Sequence, residues 1–87
     1  MSKVRVEVFL SLPRCAGGVR ARRLLDRLRD EFGEAVEIIT HVGRCAEMER
    51  HAINLAPALV VGGLIKFVGV VPTYGDLVGA VRKAGLE

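Results

Sequence analysis

Apolar residues fall at every second position near the start of the chain. In KVRVEVFLS, residues 3 to 11, Val4, Val6, Val8 and Leu10 point one way and Arg5, Glu7 and Phe9 the other. A period of two predicts a strand. From Gly18 to Phe32 the spacing changes: Ala21, Leu24, Leu25, Leu28 and Phe32 trace one face of a helix, and Gly33 supplies its stop. The β-branched run AVEIIT, 35 to 40, predicts a second strand. With a helix between them, the two strands are expected to be parallel, joined by a right-handed crossover.

A shorter helix is predicted from Cys45 to Leu55, with Met48, Ala52 and Leu55 inward and Pro57 as its stop. Two apolar runs follow, ALVV and LIKFVGVV, and the Gly62-Gly63 pair between them predicts a tight hairpin. Lys66 in the second run marks an edge strand. The last helix opens at PTYGD, where Thr73 caps it with Asp76 three residues on. Tyr74, Leu77, Val78 and Val81 make its apolar stripe, Arg82 and Lys83 suit the negative end of its dipole, and Gly85 closes it. Gly75 and Gly79 lie four apart within it, a spacing that suits close approach to the sheet or to a second chain, with packing within the monomer the expected reason. The order is β-α-β-α-β-β-α in a single 87-residue domain, an α/β fold with a four-stranded mixed sheet and helices on both faces. The alternation in the first strand leaves Arg5 and Glu7 on a face that a helix should cover. Both are expected near its exposed start.

Composition narrows the function classes. The chain is 51% hydrophobic and 26% charged, which excludes a disordered chain. The apolar segment from Leu55 to Val71 is broken by Pro57, Gly62, Gly63, Lys66 and Gly69, so strands and a turn are expected there and no membrane span. The N-terminus has no apolar stretch of signal-peptide type, and a cytoplasmic location is expected. Net charge is +3, yet six arginines between Arg14 and Arg29 interleave with Asp26 and Asp30 along one helix. With Phe9, Phe32, Phe67 and Tyr74 as the only aromatics, no stacking platform accompanies that charge, and no nucleic-acid partner is expected. His41, Cys45 and His51 have none of the paired spacing of structural zinc sites. The two histidines are read as surface residues and no metal is expected.

The remaining chemistry lies with two cysteines. Cys15 follows the first strand and precedes Gly17, Gly18 and a basic helix. A thiol at a helix N-terminus meets amide N–H groups and the positive end of the dipole, which favour thiolate, and Arg14 and Arg20 add positive potential.

Two motifs resemble the thioredoxin-like fold, and the small glutaredoxin-like proteins within it most closely. One is NLAPALVVGGLIKFVGVVPTYGDL, residues 54 to 77: a proline, an apolar strand, a glycine turn, a second strand ending in G-x-V-P, and a capped helix. The resemblance implies that Pro57 is cis and faces the active thiol. Ala56 stands where that family usually has Thr, Ser or Val. The other motif is the thiol site, Cys-x-x-Cys in the family and CAGG here, with Cys15 at the first position and Gly18 at the second. The attacking thiol is present and the usual resolving thiol is not.

The resemblance implies thiol–disulfide exchange by Cys15 as a monothiol nucleophile, with a protein disulfide or glutathione as partner and no bound cofactor. Arg14, Gly17, Gly18, Ala56 and Pro57 would bind substrate. Resolution falls to glutathione or to Cys45, which follows the second strand and should emerge at the same sheet end. The alternative is a non-catalytic binding module on the same scaffold that has lost its resolving cysteine. A third reading is a single metal held by Cys15 and Cys45. Oligomeric state is left open.

Overall fold

A computed structural model describes residues 3–11, 16–43 and 46–86. The elements run β1 (Val4–Leu10), α1 (Ala16–Phe32), a 3₁₀ turn (Gly33–Ala35), β2 (Val36–Val42), α2 (Ala46–Arg50), β3 (Ala58–Val61), β4 (Ile65–Val68) and α3 (Tyr74–Leu86). This is the expected order. The sheet is arranged β2-β1-β3-β4, with β1 and β2 parallel and the other pairs antiparallel. Lys66 does lie on an edge strand, β4.

Strand alternation divides the protein into two unequal cores. On one face Val6, Val8 and Leu10 of β1 pack with Leu59 and Val61 of β3, under Ala21, Leu25 and Leu28 of α1 and Leu77, Ala80 and Val81 of α3. The opposite face holds a smaller core of Phe9, Ala58, Val60 and Ile53, with Met48 and Val68 against it. Helices therefore cover both faces, two long ones on one side and the short α2 on the other. Tyr74 ties α3 to α1: its hydroxyl donates to the Glu31 carboxylate and the Arg27 guanidinium lies 3.9 Å over its ring. Desolvation first, then the hydrogen bond to Glu31 and after it the Glu31 charge, hold the Tyr74 phenol above its ordinary value.

Helix ends follow local chemistry. Gly33 takes φ +53° after α1, and the Asp76 N–H donates to Thr73 Oγ1 at 3.1 Å at the start of α3. The second helix is shorter than its apolar spacing predicts, ending at Arg50 rather than Leu55. Ala52 adopts φ +57°, its N–H donates to the Glu49 carbonyl, and the Ile53 N–H donates to the Met48 carbonyl. These two bonds form a Schellman end, with Met48 and Ile53 making the apolar contact that accompanies it. Ile53 is thus buried in place of Ala52 and Leu55, both exposed.

The glycines also differ from expectation. Gly62 and Gly63 both have positive φ, but the hairpin loop has three residues, with Leu64 the third and Val61 paired with Ile65. The close approaches are at Gly62, where a Cβ would stand 2.7 Å from Ala84 Cβ, and at Gly85, where it would stand 2.9 Å from Val4 Cγ2. Gly85 lies within α3, which continues to Leu86. Gly79 has nothing within 4 Å of an added Cβ, and Gly75 only Thr73 Oγ1 at 3.9 Å, so neither lets α3 approach the sheet. Gly79→Ala is accordingly expected to stabilise the protein by about 0.5–1 kcal/mol in urea unfolding, since Ala restricts the unfolded chain and suits a helix.

Candidate functional site

The end of the sheet where β1 and β2 finish gathers the segments singled out in the sequence. Phe9 is in register with His41 on one side and Ala58 on the other. The Gly43 N–H donates to the Leu10 carbonyl at 2.8 Å, and the Gly69 N–H donates to the Pro57 carbonyl at 3.0 Å. Ser11, Gly43 and Pro57 therefore leave the sheet at one end, and these are the segments next to Cys15, Cys45 and Ala56. The Ala56–Pro57 peptide is cis, with Pro57 buried and Ala56 half-buried. Arg14, Cys15 and Cys45 lie outside the described residues. So does the proposed pairing of the two cysteines.

On the helix side, α1 begins at Ala16, two residues earlier than its apolar spacing predicts. Gly17 is half-buried and Gly18 buried. Gly18 lines a cavity of about 200 Å³ with Leu10, Ser11, Val19, Arg22, Arg23 and Asp26. Its lining is mostly apolar, and the Arg22 and Arg23 side chains border it. The sequence signal for it is the RARR run, which supplies Arg22 and Arg23.

The other face of the sheet corrects two expectations. Arg5 is exposed, but Glu7 is only 6% accessible, at mid-strand rather than at an exposed start. Its two carboxylate oxygens are each met by an imidazole: His41 Nε2 lies 3.2 Å from Oε1 and His51 Nε2 lies 3.0 Å from Oε2. With Nε2 protonated, each ring donates to one oxygen, which gives this buried carboxylate the partners it requires. His41 also stacks on Phe9, ring centroids 4.7 Å apart, and His51 meets the same ring edge-on at 6.2 Å. The histidines are thus structural members of the small core, with side chains 16% and 18% exposed, and not bland surface residues. Among the described residues no group of three His, Cys, Asp or Glu is placed to hold a metal ion. Among them, too, no helix is long and apolar enough to cross a membrane.

No protein-family model matches the sequence, and no curated protein matches it. The likeness lies in the fold. The chain is similar to a malarial protein at TM-score 0.78, with 14% identity over 95% of this chain and 98% of that one. It is similar to thioredoxin-2, a component of the malaria parasite protein secretion machinery, at TM-score 0.73, with 14% identity over 93% of this chain and 82% of the other. A chloroplastic thioredoxin z gives TM-score 0.77 and 13% identity, over 98% of this chain and 80% of its own. With the strand order, the helices on both faces and Pro57 at the end of the sheet where the segments flanking the cysteines emerge, these likenesses make the chain a protein of the thioredoxin fold.

Proposed function

We propose that this protein carries out thiol–disulfide exchange with Cys15 as its attacking thiol. The observation that carries the reading is the convergence of Ser11, Gly18 and Pro57 on one end of the sheet, with α1 starting at the residue after Cys15. A thiol at the positive end of a 17-residue helix is favoured as thiolate, the attacking form. That thiolate attacks one sulfur of a protein disulfide or of a protein–glutathione mixed disulfide. The old S–S bond breaks, its other sulfur leaves as thiolate, and Cys15 is left in a new mixed disulfide. Because Gly18 stands where a resolving thiol usually stands, a second thiolate must come from glutathione or from Cys45. Thiols used in this way are kept reduced in a cytoplasmic setting.

The test is glutathione-dependent reduction of a mixed-disulfide substrate by purified protein. Cys15→Ser is expected to lower the rate at least about a hundredfold, as loss of a nucleophile does. Cys45→Ser separates the two routes: an unchanged rate assigns resolution to glutathione, a lost one to Cys45. Undiminished activity in Cys15→Ser would sink the proposal. The second reading, a binding module, is favoured by Gly18 and by the 200 Å³ cavity beside it. It would be preferred if Cys15 alkylates across pH no faster than a free cysteine.

A further inference from the structure

The two edges of the sheet are guarded very differently. On one side β4 is four residues long and carries Lys66, a charge that discourages further pairing. On the other side β2 runs for seven residues, VEIITHV, without Lys, Pro or Gly. Val42 at its end is 52% exposed. The Gly43 N–H donates to the Leu10 carbonyl, which identifies the odd-numbered residues of β2 as those whose backbone groups turn toward β1. Val36, Ile38, Thr40 and Val42 therefore turn their N–H and C=O groups to the open edge. Exposed backbone of this kind is a template for another strand.

We infer that this edge pairs with β2 of a second copy of the chain, antiparallel about a twofold axis through Ile39, making one continuous eight-stranded sheet. Full overlap of two antiparallel β2 strands sets Val36 against Val42 of the second copy and Ile38 against its Thr40. Those are the residues with outward backbone groups, so they meet as hydrogen-bonded pairs. A one-residue slip would set outward groups against inward ones, and a two-residue slip would shorten the overlap.

The same register makes the side chains complementary. Ile39 meets Ile39 of the second copy on the axis. Glu37, which Arg5 of its own chain holds at 3.4 Å, falls opposite His41 of the second copy, and symmetry repeats that pair, so each carboxylate lies beside an imidazole and not beside another carboxylate. The exposed Val42 lies against Val36 of the second copy. Along this edge Arg22, Asp26 and Arg29 of α1 line a small cleft with Ile38 and Thr40, presenting mixed charge to the approaching copy. An isologous contact of this kind closes as a dimer and does not propagate.

Sedimentation of the full chain from about 1 μM to about 1 mM is expected to show a dimer, and Ile39→Lys, which sets like charges on the axis, to weaken it at least about tenfold. Should Ile39→Lys fail to fold by circular dichroism, cross-linking decides instead. In a chain carrying Cys15→Ser and Cys45→Ser, Ile39→Cys is expected to form an intermolecular disulfide under mild oxidation, because directly opposed residues in a non-hydrogen-bonded pair lie about 4.5 Å apart at Cα. Glu37→Cys, four positions out of register with itself, is expected to cross-link far more slowly. A chain that stays monomeric throughout, a dimer indifferent to a folded Ile39→Lys, or equal cross-linking of the two cysteine variants overturns the proposal. A monomer whose β2 instead protects its amides on adding an extended peptide also overturns it.

Discussion

Phe9→Ala is expected to lower stability by about 4 kcal/mol and Tm by roughly 20 °C in an 87-residue domain. Phe9 is fully buried and heads the largest buried side chains, yet it belongs to the smaller core. Ala58 and Val60 beneath it are fixed by the sheet, and Ile53 is held by the closed end of α2. Little on that face can collapse into the space left behind, so the cavity contribution should be near its full value. His41 and His51 lose the ring that both of them contact. Urea unfolding followed by circular dichroism measures the loss, and a value under about 2 kcal/mol would show that α2 can reseat on the sheet.

Glu7→Ala is expected to cost about 3 kcal/mol, while Glu7→Gln costs about 1 kcal/mol. Alanine removes both acceptors, leaving two imidazoles over an apolar gap. Glutamine keeps the length and one carbonyl oxygen. Its amide N–H₂ can donate to the second imidazole once that ring moves its proton to Nδ1, so both contacts survive without the charge. Matched unfolding curves for the two variants check this. If Gln and Ala were equally damaging, the carboxylate charge and not hydrogen bonding would be what binds the histidines. The Glu7→Ala and Phe9→Ala effects should fall short of additive in the double variant, because both act on His41 and His51.

Features resting on neighbouring residues were legible in the sequence. Alternation located β1, the helical stripe located α1, Gly33 its end, Thr73 the cap of α3, and Lys66 the edge. Glu7 was not legible, because its partners stand 34 and 44 positions away and a charged residue in an alternating strand normally faces water. The end of α2 was hidden because Ala52 takes the left-handed conformation that usually signals itself with glycine. Gly79 misled for the opposite reason: a glycine spacing implied a contact that the helix does not make. At the candidate site, Pro57 and Gly18 were found from the family resemblance, whereas the cavity over Val19, Arg22 and Arg23 forms only where α1 crosses the end of β1.

Gly85 of α3 lies against Val4 of β1, closely enough that any side chain there would collide. The first strand and the last helix thus meet at the end of the sheet away from Pro57. Seven residues of strand separate that corner from the end where Ser11 and Pro57 leave the sheet, about 20 Å at 3.3 Å per residue. Whatever is joined to either end of this chain, a neighbouring domain or a tethered client, therefore starts from the same corner. It must reach along the whole length of the sheet before it can meet the cavity beside Gly18 and Ser11.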